Sequence, residues 1–94
     1  MPVFAVLYDY LTDSVPARDE HRPAHRQFLG TLTGPVNLLA SGPYVDEPAG
    51  ALLIVEATSV AEVETAMDAD PFAVQGLISG RAVREWTQVK GPWA

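Results

Sequence analysis

An α+β fold with element order β-α-β-β-α-β is the class this sequence predicts, and three observations carry it. Residues 3–10, VFAVLYDY, are a short run of β-branched and aromatic side chains, the composition of a strand buried on both faces. From residue 25, His25, Phe28, Leu29 and Leu32 recur at i, i+3, i+4 and i+7, which is one helical face. Two more apolar runs, 36–44 and 51–57, flank the turn VDEPAG, whose Asp, Pro and Gly join them as antiparallel neighbours.

The elements follow in order. After the first strand, DSVPARDEHRP (13–23) reads as a polar lead-in. Pro23 suits a first helical turn, where its missing N–H costs nothing, so the spacing predicts a helix from there to about Thr33, stopped by Gly34-Pro35. VNLLASGPY (36–44) is the second strand, closed by Gly42-Pro43, and ALLIVEA (51–57) the third. TSVAEVETAMDAD (58–70) opens with Ser59 and Glu62 in capping-box spacing and shows Val60, Val63 and Met67 as its apolar stripe. Asp70-Pro71 ends it, because a residue before proline avoids the helical region. PFAVQGLISG (71–80) restarts with proline first, and RAVREWTQV (81–89) alternates in period two as the fourth strand. This order gives the ferredoxin-like arrangement, an antiparallel sheet with both helices on one face.

Ninety-four residues make one domain, 1–94, able to hide roughly two-thirds of its unfolded surface. In the first strand Phe4, Val6 and Tyr8 share one side while Val3, Ala5 and Leu7 share the other, so both sides are apolar. One chain supplies helices for one side only. The expectation is a homodimer in which two sheets meet face to face, of the dimeric α/β-barrel type.

Six basic residues stand against twelve acidic ones, a net charge of −6. A nucleic-acid binder needs a basic footprint to displace counterions. The one basic cluster, Arg18, Arg22 and Arg26, is interleaved with Asp19 and Glu20, so neither nucleic acid nor an anionic membrane is an expected partner. With no cysteine there is no disulfide framework or thiolate site. The N-terminus has no basic leader or cleavage signal, and no apolar run approaches ~18 residues, which reads as a soluble cytoplasmic protein.

His25 is the first candidate for chemistry. An imidazole on an apolar stripe must satisfy a donor and an acceptor or lose about 1–3 kcal/mol per unmet group. It is either a polar aromatic bonded to a backbone carbonyl or a general acid/base on a pocket floor. His21 lies four residues earlier, the spacing of helical metal ligands, but no third ligand accompanies the pair and Pro23 sets His21 at or before the helix start. No metal or cofactor is expected. Asp70 is an N-cap, which fixes its carboxylate. With both helices on one sheet face, the start of this segment can approach the start of the first helix, where Asp70 would take the Nδ1 proton of His25. Asp68 is the alternative. Ser41, beside Gly42-Pro43, offers a hydroxyl, and no nucleophile elbow surrounds it.

LYDY near the N-terminus, RPAH (22–25), SGP (41–43), Gly50 and DADPF (68–72) together resemble the YCII-related proteins in order and spacing, over nearly the whole chain. The resemblance implies a ferredoxin-like fold that dimerises through its sheets and a pocket holding a His–Asp pair, here His25 and Asp70. Members are regarded as enzymes, mostly without a known substrate. Some act as dehydrochlorinases on chlorinated hydroxyquinol, and one branch is linked to sigma-factor-type regulators. The chain departs from the pattern at Arg26, where leucine is more usual.

These observations converge on a small cofactor-independent enzyme in which His25 and Asp70 move a proton on an aromatic or enolisable molecule, by isomerisation or elimination. Arg22 would hold an anionic oxygen, Ser41 and Gly42 would contact substrate, and Tyr8 and Phe72 would line the cavity. The alternative is a dimeric module that binds a small molecule without turning it over.

Overall fold

Strand β1 (Val3–Tyr10) sits inside the sheet, and its alternation decides what each sheet face becomes. The computed structural model describes residues 1–94. Helix α1 (Val15–Gly30) follows, then β2 (Asn37–Pro43), β3 (Gly50–Glu56), α2 (Val60–Met67), the single turn α3 (Pro71–Val74) and β4 (Ile78–Glu85). The strands lie in the order β2-β3-β1-β4, and every neighbouring pair is antiparallel. This is the ferredoxin-like α+β fold.

Phe4, Val6 and Tyr8 turn to one face with Leu53 and Val55, and α2 closes over them with Val63 and Met67; all seven are buried in one core cluster. Burying such side chains contributes roughly 1.5–3 kcal/mol each. Ser59 Oγ accepts from the Glu62 N–H at 3.2 Å, and Glu62 returns a carboxylate oxygen to the Thr58 N–H at 3.0 Å, so α2 starts where the capping spacing says. Val60, read as part of its stripe, is exposed. The opposite face has no helix over it, and of its β3 side chains Ile54 is buried while Leu52 is exposed. Leu7 and Leu52 are direct cross-strand partners and stand 37% and 39% exposed.

Two boundaries differ from the sequence reading. α1 begins at Val15, eight residues before Pro23, because Pro16 also fits a first turn and Ser14 the position before it. Pro23 lies inside the helix on its exposed side, where water can take up the carbonyl its ring leaves unpaired. At the other end, Ile78, Ser79 and Gly80 belong to β4 rather than to the restarted helix, which is a single turn. A register shift at Asp9/Tyr10 lets the short serine–glycine stretch pair with β1. No helix is long and apolar enough to cross a membrane.

Gly50 opens β3 opposite Asp9 of β1. A Cβ there would clash with the Tyr8 carbonyl oxygen and come within 2.8 Å of the Tyr44 ring. No residue of α1 is fully buried. The helix packs on α3 and reaches the core through half-buried Phe28 and Leu29, and the gap beneath its first turns is the candidate site.

Candidate active site

Asp70 is the pivot of that gap. As N-cap of α3 it accepts the Phe72 N–H through Oδ1 at 2.9 Å. The same oxygen lies 2.8 Å from His25 Nδ1, and Oδ2 accepts the Tyr8 hydroxyl at 2.8 Å. The side chain is fully buried. A buried carboxylate is costly unless its lone pairs are met, and here three donors from three elements meet them. A carboxylate only accepts, so His25 Nδ1 carries the hydrogen and the neutral ring presents its lone pair at Nε2. Phe72 stacks on the imidazole, rings 4.0 Å apart and 5° from parallel, which fixes its plane.

No buried side-chain nitrogen or oxygen lacks a partner, so Nε2, which bonds to nothing in the chain, has solvent access through the cavity that His25 lines. That cavity holds about 290 Å³, near the small end of ligand sites. One face of α1 forms a wall: Arg18, Arg22, His25 and Leu29 at i, i+4, i+7 and i+11, with Arg26 on the flank. Ser41 and Gly42 from β2 stand on the opposite side. Ala51, Leu53 and Phe72 make an apolar end.

The expected site residues are therefore brought together with one exception. Tyr8 does not line the cavity. It lies beneath Asp70 in the core, and Tyr10, two residues on along the same strand face, reaches the opening instead. Burial pushes the Tyr8 phenol far above its ordinary value, and the Asp70 charge and hydrogen bond push it further. Burial likewise raises Tyr10, partly offset by the Arg18 guanidinium 4.4 Å from its ring centre. The alternative carboxylate, Asp68, is exposed and pairs with Arg81 on β4 at 2.8 Å. Arg22 lines the cavity with its guanidinium paired to the exposed Asp19. His21 does lie on α1, four residues from His25, and no three His, Cys, Asp or Glu side chains cluster as metal ligands.

Tyr10, Arg18 and Leu29 were not expected in the wall. Their signals exist in the sequence: Tyr10 shares the parity of Tyr8, and Arg18 stands seven residues before His25. Arg18 becomes readable only when α1 is started at Val15, and Tyr10 only once the packing of α3 is known.

A model of the YCII-related domain matches residues 3–87. The chain belongs to the YCII-related family. Its fold is similar to 5-chloro-2-hydroxyhydroquinone dehydrochlorinase from Burkholderia phenoliruptrix AC1100, solved in complex with 2,5-dihydroxybenzoquinone. That likeness has a TM-score of 0.79 and 26% identity over 90% of this chain and 93% of that one. A putative antibiotic biosynthesis monooxygenase from Nitrosomonas europaea shares the YCII-related chain's fold at TM-score 0.58 and 13% identity, covering 96% of this chain and all, 100%, of that one. The Arabidopsis thaliana protein At3g17210 does so at 0.57 and 13%, covering 98% and 99%. No curated protein sequence matches the chain.

Proposed function

We propose that this YCII-related protein is a small acid–base enzyme in which His25 is the general base and acid and Asp70 its orienting carboxylate. The observation that carries the reading is the 2.8 Å contact between His25 Nδ1 and a fully buried Asp70, with Nε2 free toward the cavity. The distance is within hydrogen-bond reach of about 2.6–3.2 Å. The dehydrochlorinase of similar fold supports a substrate that is aromatic or enolisable.

Nε2 takes a proton from a phenolic hydroxyl or from carbon beside a carbonyl, and Asp70 stabilises the imidazolium. Arg22 and Ser41 hold the developing oxyanion. In an isomerisation the proton returns to a different atom. In an elimination a leaving anion departs from the same molecule, so the net change is loss of one acid, and no electron acceptor is needed. A positioned base supplies about 10²–10⁴-fold, sufficient for an activated substrate.

We further infer a homodimer formed through the helix-free sheet face, where Leu7 and Leu52 stand exposed side by side.

The test is proton exchange into hydroxyquinols, chlorinated hydroxyquinols and β-dicarbonyl compounds in D2O, followed by NMR, with chloride release read in parallel. His25→Ala and Asp70→Asn should lower turnover about 10²–10⁴-fold with the fold retained. A ligand bound tightly and recovered unchanged, with no exchange by the wild type, would make the protein a binding module instead.

A further inference from the structure

We propose that the cavity selects ring compounds carrying a carboxylate besides the hydroxyl that faces His25, the carboxylate being held between Arg22 and Arg26. The proposal rests on the acid–base reading of His25 given above and names the substrate class of that site.

The charge distribution is the starting point. A chain of net charge −6 has only six basic residues, and three of them, Arg18, Arg22 and Arg26, line this one cavity, while no acidic side chain does. Like charges four residues apart destabilise a helix. The fold uses Arg18, through Ser14 and Tyr10, but gives Arg22 only an exposed partner and Arg26 no ion-pair partner. An acidic protein repels anions at long range, and a local cationic wall reverses the sign where a ligand enters.

The three arginines are held differently. Arg18 is fixed: its Nε donates to Ser14 Oγ at 2.9 Å and its guanidinium lies over Tyr10. Ser14 stands at the N-cap position and makes no cap bond, its hydroxyl being turned to Arg18 instead. Arg22 is paired only with exposed Asp19, a partner that an incoming anion can replace. Arg26 is exposed and has no ion-pair partner.

Side chains on a helix lean toward its N-terminus, so Arg26 reaches over the turn that carries Arg22. The two stand about 6 Å apart along the axis. Arginines one turn apart on a helix have the reach for each guanidinium to take one oxygen of a shared carboxylate. His25 lies between Arg22 and Arg26 along the helix axis, and Leu29, Leu53 and Phe72 offer apolar surface for a ring in the same cavity. Anion site, proton-transfer group and apolar surface thus adjoin one another in a cavity of about 290 Å³, room for one ring and its substituents.

Calorimetric titration of 2,5-dihydroxybenzoate and of hydroquinone, the same ring without the carboxylate, tests the proposal. The wild type should bind the carboxylated ring at least about tenfold more tightly, the worth of one charge-assisted hydrogen bond. Arg26→Leu should remove most of that preference while leaving hydroquinone affinity unchanged, and 0.5 M salt should shrink it. His25→Ala should keep the preference, which separates this anion site from the proton-transfer role. Equal affinities for the two rings, no binding of either, or equal weakening of both by Arg26→Leu overturns the proposal. If the exchange assay fails while the preference and its Arg26 dependence persist, the acid–base reading falls and the anion site stands.

Discussion

Tyr8 and His25 never touch, yet both bind Asp70, one at each carboxylate oxygen. The hydroxyl from the sheet fixes the carboxylate, and the carboxylate fixes the imidazole. Tyr8→Phe removes the donor at Oδ2 and leaves a buried acceptor unmet, a cost of about 1–3 kcal/mol. The expected outcome is a folded variant with a lower melting temperature and a reduced kcat at unchanged KM, because Tyr8 lies outside the cavity wall. A KM rise with kcat intact would mean that Tyr8 contacts substrate after all.

Alkaline pH should weaken the fold through the same two tyrosines. Tyr8 and Tyr10 both hold their protons above the ordinary phenol value of about 10, chiefly through burial. A group whose folded pKa is raised keeps its full contribution below the unfolded value and loses it as pH climbs toward the folded one. The contribution of these groups should therefore be constant and complete below about pH 10 and be lost progressively above it. Absorbance at 295 nm should rise in two stages, with the Tyr8 and Tyr10 share delayed until unfolding. A single stage near pH 10 in folded protein contradicts this.

Gly50→Ala should be among the most damaging single changes. The added methyl meets the Tyr8 backbone carbonyl and the Tyr44 ring, so relief requires moving β1. Its cost should equal or exceed the ~1–3 kcal/mol of ordinary overpacking. Urea denaturation gives the number, and a midpoint like that of the wild type would show that β1 yields easily.

Leu7→Glu and Leu52→Glu test the sheet-face dimer. Both side chains are already solvent-accessible in the single chain, so neither change creates a cavity or strands a buried charge. Sedimentation should shift from dimer to monomer while the circular dichroism of the chain is preserved. Unaltered association by both variants would place any interface elsewhere.

The order of strands and the role of Asp70 as a cap were readable because each has a local cause: period-two alternation, Asp-Pro at a helix start, Gly-Pro at a strand end. The start of α1 was not, since Pro16 and Pro23 each satisfy the rule for a first turn and only tertiary packing chooses. That one boundary hid Arg18 from the site. Tyr8 and Tyr10 posed a different problem. They share a face, and which is sealed depends on where α3 crosses the strand, a long-range contact with no local signal.

A helix that turns one arginine-bearing stripe to a ligand, and touches the core only through half-buried Phe28 and Leu29, is a replaceable wall along that stripe. Residues 18, 22 and 26 can be exchanged without repacking Phe4, Val6 or Leu53. Within one scaffold, relatives can thus drift from one acid to another, or to uncharged molecules, while the imidazole and its anchored carboxylate are inherited unchanged. Diversification of such a lineage should be read first along this single stripe.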